Sequence, residues 1–242
     1  MSDNEVVVMF TRKSSNVQTG NIPAAWIGHT VAEMRGTCEA SGCPYFAGKL
    51  VGETVCRCYA WQGHARQAFY SVSKAYARNP DNYTLLSALK RAPKSATTLR
   101  YSVVGDPSAV GEEAALATVE TCKAFGVTLL GYIAGWRQAP WWKGILRASC
   151  ESKEDMEEAL ALGWKVTRVA PMDSKKPPEP VGIICPIKLG AKSNCNSCHL
   201  CLYTEKTPAV IWFPDHTPLV KAHRAQKAKR EAAKLAEEGK PC

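Results

Sequence analysis

The chain has 242 residues, 45% of them hydrophobic and 22% charged, with a formal net charge of +9. That length suffices for a real core, and that composition excludes disorder as the default state. No apolar run approaches the roughly 18–20 residues that span a membrane, and Met1–Val8 lacks both the positive flank and the apolar length of a signal peptide.

In chain order, a first strand is expected at Val6–Phe10. Residues 14–63, rich in Gly, Ser, Thr, Pro and Cys without sustained periodicity, are expected to be loops. His64–Arg78 and Tyr83–Arg91 read as helices separated by the Asn79-Pro80-Asp81 break. A strand at Leu99–Val104 ends in Gly105-Asp106-Pro107, and a helix at Glu112–Phe125 has Gly126 as its C-cap. Strands follow at Val127–Ala134 and Ile145–Ser149, then a helix at Lys153–Leu162 closed by Gly163. Lys165–Val169, Val181–Ile184 and Ala209–Phe213 complete the strands. Strands alternating with helices predict an α/β fold with mainly parallel strands, and their spacing fits an incomplete or distorted (β/α) barrel better than an open doubly wound sheet. The expected organisation is one α/β domain over residues 1–220, with 14–63 as its cysteine-rich loop region, and a basic helical tail over 221–242.

The absence of a targeting pattern predicts a cytoplasmic protein, of a cell or of an infected host. In a reducing compartment, eleven cysteines point to metal binding or redox chemistry rather than structural disulfides. Four of them, Cys185, Cys195, Cys198 and Cys201, are spaced C-x9-C-x2-C-x2-C. Three thiolates at such intervals wrap around the corners of a cubane cluster, and a Cys-Pro pair supplies the fourth from elsewhere, as in bacterial ferredoxins. Here Cys185-Pro186 is that pair, although it precedes the run. The expected cofactor is a [4Fe-4S] cluster. Zinc is the alternative, although structural zinc more often uses two separated C-x2-C pairs; His199 could then replace one thiolate. A second group, Cys38, Cys43, Cys56 and Cys58, has the spacing C-x4-C-x12-C-x-C. It is either a second metal or structural site stapling a long loop, or a set of buried free thiols. Cys122, mid-helix, is expected in the core.

Several features together resemble a family of cysteine-rich proteins common in phage genomes. They are the Asn16-Val17-Gln18-Thr19-Gly20-Asn21-Ile22-Pro23 loop, the Thr37-Cys38…Cys43-Pro44…Cys58-Tyr59-Ala60 stretch, the strand ending in Gly105-Asp106, and the late cysteine set. The resemblance implies a partial (β/α) barrel similar to radical S-adenosylmethionine enzymes, bearing an iron–sulfur cluster. The chain departs from those enzymes in having no C-x3-C-x2-C triplet. Four available thiolates would also close the cluster, where catalysis requires an open iron. S-adenosylmethionine is therefore not an expected cofactor.

Strand ends in such folds carry ligand sites, which makes Asp106, Trp136 and Arg137 a candidate strand-end ligand site. Their plainer reading is loop and core packing. The tail from Lys221 to Glu238 is built from strong helix formers with little apolar surface, a basic helix suited to phosphate contact by charge. No P-loop, dinucleotide fingerprint, zinc-protease helix or nucleophile elbow appears. Two functions remain: a cluster-bearing binding, regulatory or redox protein whose basic surface meets nucleic acid or a host protein, and a radical S-adenosylmethionine-related enzyme with its cluster at the barrel mouth.

Overall fold

The computed structural model describes residues 6–14, 16–28, 37, 64–171, 173–191 and 193–215. The expectations for Cys38, Cys43, Cys56 and Cys58, and for the 221–242 tail, lie outside the described residues. Among the described residues, no helix is long and apolar enough to cross a membrane.

The fold is α/β. Eight strands form one sheet in the order β1-β2-β3-β4-β5-β6-β8-β7. They are β1 (Val7–Thr11), β2 (Ala24–Gly28), β3 (Thr98–Tyr101), β4 (Thr128–Ile133), β5 (Arg147–Ser149), β6 (Val166–Ala170), β7 (Ile183–Ile184) and β8 (Val210–Pro214). Only β1 and β2 pair antiparallel; every other neighbouring pair is parallel. The sheet does not close into a barrel, since β1 and β7 are its outer strands. The helices are α1 (His64–Arg78), α2 (Leu85–Lys90), α3 (Glu112–Ala124), α4 (Lys153–Ala161) and the single turn α5 (Cys195–Cys198). Side-chain caps fix two of the starts, Thr84 accepting the Ser87 N–H at 3.2 Å and Ser152 the Asp155 N–H at 3.0 Å.

One expectation is corrected: the 14–63 region is not all loop, because Ala24–Gly28 forms β2. All five of its residues are buried. Ala25 and Ile27 enter the main core, while Trp26 packs on the other side with Met9 and Phe69. A strand covered on both faces shows no polar–apolar alternation, which leaves a short one without a periodic signature.

Residues alternate between the two faces of the sheet. Leu99, Tyr101, Leu129, Ile133, Val166 and Trp212 turn to one face, where Ala88 of α2, Ala115 of α3 and Met156 of α4 cover them. On the opposite face, α1 lays Phe69 over Met9 and Trp26 at the β1–β2 end. At the far end of that face, Cys185, Ile187 and Ile211 pack with Cys195, Cys198, Cys201 and Phe213.

Strand order explains this division. From β2 to β6 the sheet grows in one direction, so right-handed crossovers carry α2, α3 and α4 to a common face, with α1 an additional layer on the other. β7 lies beyond β8, so the connection from β7 back to β8 runs the opposite way. The same handedness then sends it across the other face. That connection, residues 185–209, contains all four late cysteines. Entry into β7 depends on Gly182: its φ is +83°, and a Cβ there would lie 2.2 Å from the Val210 carbonyl oxygen.

Candidate metal centre

Cys185 directly follows β7, and its N–H donates to the Trp212 carbonyl at 2.8 Å, so strand pairing itself positions it. It is 7% exposed. The other three cysteines ride on α5 and the turn after it. Asn194 and Ser197 form a capping box around α5, with the Asn194 side chain accepting the Ser197 N–H at 3.2 Å and the Ser197 hydroxyl accepting the Asn194 N–H at 3.3 Å. His199 ends the turn in the left-handed conformation, with φ 59°. Its exposed ring lies 3.1 Å from the Thr97 hydroxyl.

Asn196, between the first two cysteines of the run, fastens α5 to the start of β3. Its Oδ1 accepts from the Thr97 N–H at 3.0 Å and from the Thr98 hydroxyl at 3.3 Å, and its Nδ2 donates to the Ser95 carbonyl at 2.8 Å. The N-terminal loop holds the other side: the Cys195 N–H donates to the Gln18 carbonyl at 3.0 Å, and Lys188 Nζ to Gln18 Oε1 at 2.6 Å. Gly20 lets this loop approach, because a Cβ there would stand 2.8 Å from Asn194 Cγ at a φ of +86°.

Cys201 is held from below by Arg147, the first residue of β5. Arg147 is 0% exposed. Its guanidinium donates to six backbone carbonyls: Pro208 at 2.9 Å, Leu200 and Cys201 at 3.0 Å, and Val166, Ala209 and Leu202 at 3.4–3.5 Å. None of these described partners is a carboxylate. Burial pulls the guanidinium below its ordinary pKa, and a charge on Cys201 pushes it back up. Lys165 fastens the rest of the loop, donating to the carbonyls of Thr204 and Thr207. The backbone of the run is therefore fastened at the starts of β3, β5 and β6, while Cys201 Sγ meets Tyr132 near the end of β4 and Cys185 reaches the cavity from the C-terminal end of β7.

All four cysteines line one cavity of about 330 Å³ between this connection and the sheet. Leu130, Val169, Ile183, Ile211 and Phe213 supply much of its apolar wall and Arg100, Arg168 and Lys188 its cations, and no Asp or Glu is among the described residues that line it. The Tyr132 hydroxyl donates to Cys201 Sγ at 3.2 Å. The Arg100 guanidinium lies over the Tyr132 ring, 4.4 Å from its centroid, and the Tyr132 and Phe213 rings meet in a T-shaped contact with centroids 5.4 Å apart. Burial raises the Cys185 and Cys195 thiols above their ordinary values. It pushes Cys201 up to about 11, against the pull of Tyr132 and Arg147. Burial thus favours the protonated thiol in all three.

Among the described residues, no three or more His, Cys, Asp or Glu side chains form a group that could hold a metal ion as it stands. The four thiols border a shared space. Their chemistry nevertheless fits a thiolate-ligated cluster, which is anionic overall. Among the described residues Arg100, Arg168 and Lys188 line the space, Arg168 already paired with Glu179, and Arg147 is a buried charge whose described partners supply only carbonyl dipoles.

The other candidate residues lie elsewhere. Asp106 spends its carboxylate on backbone, accepting from the N–H groups of Ala134 at 2.7 Å, Ser108 at 3.0 Å and Gly135 at 3.3 Å. Burial raises its pKa, and those donors oppose the shift. Trp136 is buried in the main core against Trp164. Arg137 stacks on Trp136 at 4.0 Å and pairs with Asp155 and Glu158 of α4. None of the three lines the cavity. Cys122 is buried in α3, as expected.

Arg147 and Tyr132 are the residues at this site that sequence reasoning passed over. Arg147 had a signal, a lone cation between Leu146 and Ala148 in an apolar strand; Tyr132 had none. Comparison with family models, curated proteins and solved structures finds no match to this chain.

Proposed function

We propose that this chain is an iron–sulfur protein in which Cys185, Cys195, Cys198 and Cys201 hold a [4Fe-4S] cluster in the cavity beneath the β7–β8 connection. Its role is of the binding, regulatory or redox class, with nucleic acid or a host protein meeting its basic surface. The observation that carries the reading is the convergence of four cysteines, with nine residues between them at the widest gap, on one cavity, where Arg147, with no carboxylate among its described partners, holds the Cys201 carbonyl. Such a cluster supplies one-electron transfer and a covalent staple. Within the chain, Arg147 and Asn196 hold the ligand loop to the sheet, Gln18 holds α5 from the solvent side, and the apolar wall limits water. One-directional strand order from β2 to β6 supports reading the sheet as an incomplete (β/α) barrel.

The position of the run favours this role over the enzyme related to radical S-adenosylmethionine proteins. Parallel α/β enzymes do their chemistry at the C-terminal ends of strands, whereas residues at the N-terminal ends serve stability. Here the run is fastened at Thr97, Arg147 and Lys165, just before or at strand starts. The test is the paramagnetic spectrum of the dithionite-reduced protein with and without S-adenosylmethionine. Four thiolates predict an unchanged signal. A signal altered by the nucleotide means an open iron and gives precedence to the enzyme.

A further inference from the structure

We infer that Tyr132 sets the reduction potential of this centre through the hydrogen bond from its hydroxyl to Cys201 Sγ. The inference rests on the cluster reading above and adds to it a residue that is not a ligand. The contact is 3.2 Å long and joins residues 69 positions apart, so it is a product of the fold rather than of local sequence.

The surroundings fix the donor in place. The Phe213 and Tyr132 rings make a T-shaped contact at 66°, and the Arg100 guanidinium covers the Tyr132 ring. The backbone of Tyr132 pairs with Arg147 across β4 and β5. Arg147 in turn holds the Cys201 carbonyl at 3.0 Å. Donor strand and acceptor residue are thus anchored to the same residue, one through its backbone and the other through its side chain, and the hydroxyl cannot easily drift from the sulfur. A donor aimed at a ligating sulfur stabilises the form with more negative charge, which for a cluster is the reduced one. The phenol therefore raises the potential, and its loss lowers it. Among the hydrogen bonds described for the four cysteine sulfurs, this one comes from a side chain the cluster does not need as a ligand, so its effect separates cleanly from cluster binding.

The experiment compares wild-type protein with Tyr132→Phe, which keeps the ring and both of its aromatic and cationic neighbours. Iron and sulfide content, a dye-mediated redox titration, and proton couplings to the reduced cluster before and after exchange into D2O are measured on both. The expected result is unchanged iron and sulfide, a more negative midpoint, and the loss of one exchangeable proton coupling. Full loading with an unmoved midpoint and an intact coupling overturns the inference and leaves the cluster standing. Loss of iron from the variant alone also overturns it, by making Tyr132 a structural support. Absence of iron and sulfide from the wild type removes the cluster reading itself, and this inference with it.

Discussion

A guanidinium shut away from water costs several kcal/mol to bury, and carbonyl dipoles alone compensate that cost poorly. Arg147 is in that situation directly beneath Cys201. If the four cysteines ligate a cluster as proposed, their thiolates supply negative charge that Arg147 does not find among its described partners, which links stability to loading. Arg147→Leu leaves several carbonyls of the 200–209 loop without donors. It is expected to destabilise the protein by roughly 3 kcal/mol, at about 1–3 kcal/mol for each buried group left unsatisfied. Denaturant unfolding measures this, and an unchanged midpoint would show that the loop does not depend on the cation. At this scale the sequence was partly legible. The four cysteines stood out because their spacing resembles that of cluster ligands, and all four line one cavity. Asp106, Trp136 and Arg137 were candidates because they stand at strand ends; that the Asp106 carboxylate accepts from backbone N–H groups and Trp136 packs in the core is visible only in the packing.

The decisive element is the β7–β8 connection. Its cysteines are close in sequence, but their place in the molecule follows from a reversal of strand order that local pattern does not encode. Spacing put Cys185 at the end of a strand, as found; it could not show that the run would be tied to the opposite end of β3 and β5. Asn196 makes that tie through Ser95, Thr97 and Thr98. Asn196→Ala removes no ligand, yet it is expected to cost about 1–3 kcal/mol and to speed loss of the cluster to a chelator. Equal rates of iron release from variant and wild type would remove the tie from the account. β2 escaped notice for a related reason: burial on both faces leaves a five-residue strand with no period to read.

At the scale of the whole molecule, alternating helices and strands made the α/β class and the mostly parallel sheet readable from periodicity alone. His64–Arg78 was delimited as a helix by its own pattern and the Asn79-Pro80 stop. Openness of the sheet was not readable, because it depends on how the edge strands β1 and β7 are placed. The net charge of +9 suits an anionic partner. Deleting the residues after Val220 is expected to leave iron content intact and to lower the salt at which the protein leaves a nucleic-acid column. An unchanged elution would take the tail out of partner binding.

The most direct test of the central claim is the iron, acid-labile sulfide and zinc content of the wild-type protein purified without oxygen. The account predicts about four irons and four sulfides per chain, as a [4Fe-4S] cluster requires. Zinc without sulfide, or no metal at all, would contradict it.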